Sequence, residues 1–264
     1  MGRVILHWVC VCALVVPLIG CGDDTTATGG DGGSGDTGGD GGSAGSGGTG
    51  GDGGAAGAKV ALSVSVTEAE GLNPVVRGSA FEGVELCETD TTNCATTDAD
   101  GAATIMVSAN QEITYTVSKD GYGPWFIADV TDETLRTTFW PMFSDAMLAD
   151  DAEALGIPYP YTGGVIVLQV TPGMAGVTYD LLDETAKQYY VDEAGINTLG
   201  LTETTSDGRG AFLEVSPSEY QVEFGGTATN CTPGIAWPGD AANRIKVPVR
   251  VGYASWANML CDAL

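Results

Sequence analysis

The side chains that carry most enzyme chemistry are scarce in this sequence. Its one histidine, His7, lies in an N-terminal apolar run, residues 4 to 19, that has the length of a signal-peptide core. With the removal of that run go histidine triads, histidine metal sites and imidazole acid–base chemistry. Acidic residues abound, 35 against 10 Lys and Arg, yet no acidic pair falls in a recognisable motif, so a carboxylate-dependent hydrolase is the last of the functional readings. Asp98 and Asp100 ahead of Gly101 resemble the start of a calcium loop, which needs further oxygen ligands and a glutamate at about position 12. Counting from Asp98 puts Ala102, Thr104 and Ala109 where ligands should be, so a hairpin turn is expected, calcium is secondary, and no metal or cofactor is assigned. Aromatic residues are the better candidates for binding. Tyr159 and Tyr161 in Pro158-Tyr159-Pro160-Tyr161, with Tyr189-Tyr190, sit in Pro-rich or charged surroundings and suit an exposed platform for sugar rings. Trp125, Trp140, Trp237 and Trp256 read first as core or inter-domain packing.

Seven cysteines define the compartment. Cys10 and Cys12 lie in the apolar run, and Cys21 ends the tetrapeptide Leu18-Ile19-Gly20-Cys21 directly after it. Four remain: Cys87, Cys94, Cys231 and Cys261. Outside the cytoplasm an even number reads as disulfides, and four cysteines allow three pairings. Proximity favours Cys87–Cys94 and Cys231–Cys261. Trp237-Pro238-Gly239-Asp240 would then be a loop pinned near Cys231. No CxxC spacing and no histidine supports zinc.

The tetrapeptide resembles the lipobox of bacterial lipoproteins. That resemblance implies acylation of Cys21, cleavage before it, and a chain tethered to a membrane through lipid with no helix in the bilayer. In that class an acidic residue directly after the cysteine marks inner-membrane retention. Here Gly22 holds that place, so the outer membrane is expected, with a periplasmic or surface-exposed orientation. Loss of residues 1–20 removes Arg3 and no acid, leaving 35 acidic and 9 basic residues, a net charge of 9 − 35 = −26. Such a charge excludes nucleic acid and anionic lipid surfaces as partners, since both demand a basic footprint.

From Gly22 to Ala58 the sequence is Gly, Asp, Ser, Thr and Ala, with 18 glycines in 37 residues. Nothing there repays the entropy of ordering, so a disordered spacer over residues 21–58 is expected. Asp-Gly repeats suggest calcium β-rolls, but the nonapeptide period is missing. At Lys59 the composition changes. Val60, Leu62, Val64 and Val66 alternate as in a half-buried strand, and short β-rich runs follow, divided by Asn73-Pro74, Asp100-Gly101 and Asp120-Gly121. Around residues 141–162 a helical connector is predicted, capped by Ser144 or Asp145, with Leu148, Ala152 and Leu155 on one face and Gly156 as its stop. Strands resume at Gly164.

The two halves echo one another. Gly83-Val84 matches Gly176-Val177, Thr97-Asp98-Ala99-Asp100-Gly101 matches Thr204-Thr205-Ser206-Asp207-Gly208, and Tyr115-Thr116-Val117 matches Tyr220-Gln221-Val222. This order, with Lys119-Asp120-Gly121-Tyr122 and Pro217-Ser218-Glu219-Tyr220, resembles carboxypeptidase regulatory-like domains, small β-sandwiches of transthyretin-like (prealbumin-like) topology. Ala103 stands where that family has an aromatic, and Ser218 where it has glycine. The resemblance implies accessory or binding modules with no catalytic residues of their own. The expected architecture is therefore all-β: two tandem antiparallel Greek-key-type sandwiches, residues 59–140 and 163–264, joined by the helical connector. The expected function is a lipid-anchored, non-catalytic binding or structural module of the bacterial envelope. A carbohydrate-binding or adhesive surface lipoprotein is the alternative, with a glycan or an envelope protein as partner.

Overall fold

Val60, Leu62, Val64 and Val66 sit two apart, and a strand turns all four to one side. A computed structural model describes residues 58–132 and 136–262; the apolar run, Cys21 and the spacer as far as Gly57 lie outside the described residues. The four side chains are buried along β1 (Lys59–Leu72). After it come β2 (Val75–Ala80), β3 (Glu85–Glu88), β4 (Cys94–Thr96), β5 (Ala102–Ser108), β6 (Glu112–Ser118), β7 (Trp125–Val130) and β8 (Arg136–Met142). Strand β1 pairs antiparallel with β2 and β5 and parallel with β8, while β4, β3, β6 and β7 run side by side in a second layer. Leu62, Val66, Leu86, Tyr115, Val117 and Ile127 fill the space between them.

The connector is α1 (Asp145–Leu155), as the capping residues predict. The Ser144 hydroxyl accepts from the Met147 amide at 3.3 Å, and Gly156, left-handed at φ 62°, closes the other end. Ala152 and Leu155 are its buried residues.

The second half comprises β9 (Gly164–Thr171), β10 (Val177–Leu181), β11 (Lys187–Val191), β12 (Asn197–Leu199), β13 (Arg209–Val215), β14 (Glu219–Gly226), β15 (Thr229–Ile235), β16 (Trp237–Pro238), β17 (Arg244–Pro248) and β18 (Ala254–Asp262). Its pairings reproduce those of the first half. Strand β9 joins β13 antiparallel and β18 parallel, as β1 joins β5 and β8; β10–β14–β17 corresponds to β3–β6–β7. The echoed threonines explain part of this. Buried Thr97 accepts from the Val84 amide at 2.9 Å and donates to the Phe81 carbonyl at 2.6 Å. Buried Thr204 accepts from the Val177 amide at 3.0 Å and donates to the Met174 carbonyl at 2.7 Å. Each hydroxyl bolts the turn after one sheet to the strand opening the other, so the echo records a repeated hydrogen-bond device.

The halves share a sheet. Strand β18 lies parallel to β7 with Ala254 opposite Trp125, giving a ten-stranded layer in the order β12-β11-β13-β9-β18-β7-β6-β3-β4, with β15 also on β18. Trp237 crosses from one half to the other, its indole N–H donating to the carbonyls of Ile113 and Asp129, each at 3.1 Å. The stretch expected as a pinned loop thus contains the short strand β16, which pairs with β17. Both disulfides favoured by proximity are present: Cys87–Cys94 links opposed residues of β3 and β4, and Cys231–Cys261 fastens β15 to β18.

Candidate functional site

The apolar run Gly164–Val170 has no polar phase until Gln169, which marks a strand buried on both faces. On one face Ile166, Leu168 and Val170 enter the core of the second half. Val165, Val167 and Gln169 point the other way, into a cleft. Strand register arranges the residues on this side in rows. Asn258, Gln169 and Arg209 align across β18, β9 and β13. Two residues along, Trp256, Val167, Ala211 and Tyr189 form the next row, and Trp125, Ala254 and Val165 the third. The opposite wall comes from Val75 and Arg77 of β2, Phe139 of β8, Leu148 and Asp151 of α1, and Tyr159 and Tyr161 after it. Together they enclose about 510 Å³, within the roughly 300–1,000 Å³ of small-molecule sites.

The charged groups of the cleft are already engaged. Asp151 accepts from the Asn73 amide at 2.6 Å and from the Asn197 amide at 3.1 and 3.0 Å. Arg209 grips Asp207 with two hydrogen bonds of 2.6 and 2.8 Å, and the Arg77 guanidinium lies 3.9 Å above the Phe139 ring. Several neutral polar groups are not engaged. The hydroxyls of Tyr189 and Tyr161, the indole N–H of Trp256 and the carboxamide of Gln169 make no hydrogen bond to any described residue. Burial pushes the Tyr161 and Tyr189 hydroxyls far above the ordinary tyrosine range, and the Asp151 charge adds to both. The Tyr159 hydroxyl is raised by burial and by donating to the Asp145 carboxylate.

Burial also raises the Asp151 carboxyl above its ordinary value, against the lowering effect of the Asn73 and Asn197 amides. A raised pKa in the fold means that the folded state holds this proton where the unfolded chain has released it, so stability falls as pH climbs through that window. The window opens at 3.8, the group's ordinary value, and ends at the raised folded value. Asp151→Asn is expected to flatten this stretch of the stability–pH curve, measured by urea unfolding at successive pH values. An unchanged slope counts against the assignment.

Three of the four tyrosines singled out by sequence meet at the cleft. Tyr159 and Tyr161 pack edge to face, centroids 5.1 Å apart, and Tyr189 lines the wall opposite. Tyr190 does not join them. Successive strand residues point to opposite faces, so it enters the second core, stacks on Tyr179 at 5.5 Å and accepts from the Tyr179 amide and the Gln188 carboxamide, each at 3.0 Å. The expected exposed platform is corrected accordingly, since Tyr189 and Tyr190 are 8% and 1% exposed. Trp125, Trp140 and Trp256 cluster with centroids 5.8 to 6.4 Å apart.

Asp98 serves a turn: its carboxylate accepts from the amides of Asp100 at 3.0 Å and Ala102 at 2.9 Å, and Asp192 does the same for Ala194 and Ile196. Among the described residues the group with metal-ligand spacing is Glu85, Cys87 and Cys94, whose sulfurs are joined to each other. Sequence reasoning missed Gln169, Asn258, Arg209, Asp151 and Asn197. The available signal was a polar residue on the inward phase of an otherwise apolar strand, as at Gln169 after Val165 and Val167.

No protein-family model and no curated protein matches the chain. Among solved structures it is similar to a chain of a type II cohesin–X-dockerin complex from Acetivibrio cellulolyticus, at 22% identity over 33% of this chain and 60% of that one, TM-score 0.25. The chain thus spans less than two thirds of that relative. It is also similar to a minor pilin of Streptococcus agalactiae, at 13% identity over 78% of this chain and 97% of that one, TM-score 0.25. The shaft pilin of Lactobacillus rhamnosus GG matches at 9% identity over 78% and 99%, TM-score 0.22. Likeness at these TM-scores carries no ligand, partner or activity to this chain.

Proposed function

We propose that the chain is a lipid-anchored protein of the bacterial envelope that binds through the cleft between its two halves and performs no chemistry there. One observation carries the binding reading: an aromatic-walled cleft of about 510 Å³ in which the hydroxyls of Tyr161 and Tyr189, the Trp256 indole N–H and the Gln169 carboxamide have no hydrogen-bond partner among the described residues. A hydrolase of the two-carboxylate kind needs a second acid facing the first, and Asp151 is the one acid among the described residues lining the cleft. In this reading Cys21 takes the acyl chains and residues 22–58 space the folded part from the outer membrane. The two halves are carboxypeptidase regulatory-like sandwiches, an assignment supported by the repeated threonine bolts and the repeated strand pairings. Among the described residues no helix is long and apolar enough to cross a membrane.

Fractionation of cells expressing the protein tests the anchor. The native chain is expected with the outer membrane and Cys21→Ala in the soluble fraction; a variant that stays in the membrane overturns it. Protease treatment of intact cells then separates surface from periplasmic orientation. Cleft binding is read from tryptophan fluorescence, since Trp256 lines the cleft and touches Trp125 and Trp140. Titrations with a fatty acid, a peptide and oligosaccharides that all leave the emission unchanged overturn the binding reading.

A further inference from the structure

The hydrogen-bonding capacity left open in the cleft is neutral and of mixed sense. A tyrosine hydroxyl both donates and accepts, a carboxamide offers one of each, and an indole N–H donates. Tyr189 supplies its hydroxyl from a side chain more than nine-tenths buried, on the cleft-lining side of β11. Charge offers no comparable handle, because Arg209 is held by Asp207, Asp151 by two amides and Arg77 by the Phe139 ring. The open groups are set among aromatic faces: Tyr159 and Tyr161 on one wall, Tyr189 and, three strands from it, Trp256 on the other. Along the sheet the cleft runs from Asn197 on β12 to Trp125 on β7. Those five strand intervals of about 4.8 Å make roughly 24 Å.

An occupant must therefore be extended, offer donors and acceptors at short intervals around its rim, and present apolar faces. A fatty acyl chain fills the length but leaves the hydroxyls, the carboxamide and the indole N–H unsatisfied. An extended peptide finds its main-chain partners at a sheet edge. The β11, β13, β9 and β18 floor of this cleft is already paired and leaves it only the edge strands β2 and β8 of the opposite wall, away from the open hydroxyls of the floor. An acidic ligand meets the Asp151 carboxylate and a chain with far more acids than bases. Resting on the cleft-binding reading above, we infer that the occupant is a neutral oligosaccharide laid across β11, β13, β9 and β18. Its ring faces stack on the tyrosines and Trp256, and its hydroxyls bond to Tyr161, Tyr189 and Gln169.

The test is a glycan array carrying neutral and uronic-acid glycans, probed with the full-length protein in detergent, followed by calorimetric titration of the strongest neutral hit. Binding to neutral glycans is expected. Tyr189→Phe and Tyr161→Phe are each expected to weaken it by about three- to tenfold, the value of one hydrogen bond. Neither should lower the unfolding midpoint, because the deleted hydroxyl has no partner among the described residues. Phenylalanine variants that bind like the native chain overturn the inference, as does an array that responds only to acidic glycans or to none. Fatty acid or peptide binding without sugar binding refutes the sugar and keeps the cleft-binding reading. Silence from all three ligand classes refutes both.

Discussion

Trp125→Ala is expected to remove about 3–5 kcal/mol of stability, as fully buried tryptophans do when truncated. The residue is 5% exposed and sits where the two halves meet. Its ring contacts those of Trp140, Phe143 and Trp256 at centroid distances of 5.8 to 6.3 Å, and its indole N–H donates to the Pro141 carbonyl at 2.8 Å. Truncation opens a cavity at the head of the cleft and strands that carbonyl in an apolar setting, two costs of different origin that add. Urea unfolding of the full chain measures the loss. A loss below about 1 kcal/mol would mean that the ring cluster collapses freely around the gap, and that Trp125 does not brace the joint. Trp256 is a useful contrast, being only half-buried and on the cleft face.

Removing the Cys231–Cys261 bond is the second large perturbation. The two residues are 30 apart in sequence, and on the chain-entropy model closing such a loop contributes about 3.7 kcal/mol. The bond between Cys87 and Cys94, 7 apart, contributes only about 2.4 kcal/mol on the same model. The double variant Cys231→Ala/Cys261→Ala is therefore expected to lose more stability than Cys87→Ala/Cys94→Ala. Its effect should also be local. Strand β15 meets β18 in a ladder with two register shifts, so the sulfur link supplies much of what keeps β15 in place. Hydrogen exchange should show β15 amides losing protection while β9 amides keep theirs. Equal loss in both strands refutes the local account.

Much of this fold was legible because each element carried its own signal. Alternation gave β1, Ser144 and Gly156 bracketed the helix, and the matched Thr-to-Gly segments announced one module used twice. Proximity sufficed for the disulfides. What stayed hidden depends on residues far apart in sequence. Nothing near Trp125 or Ala254 announces that β7 and β18 will align parallel, since parallel pairing between distant strands leaves no local turn chemistry to read. The cleft was half visible. Tyr159, Tyr161 and Tyr189 were found by type, whereas Tyr190 was included wrongly because adjacency in sequence becomes opposition in a strand. Asp151 carries no local signal, because its partners Asn73 and Asn197 lie 78 and 46 residues away.

The joined sheet has a consequence for how copies of this protein tolerate crowding. The nine-strand path of this layer ends in β4 and β12, each three residues long, while β15 branches from β18 as a longer edge. One of them is fastened to its neighbour by Cys87–Cys94. Short edges give an incoming strand too few hydrogen bonds to hold. Molecules held side by side at a membrane surface, as proposed here, would meet constantly in two dimensions. At β4 and β12 such meetings find too little backbone to extend, so growth of a shared sheet would have to begin at a longer edge such as β5, β8 or β15.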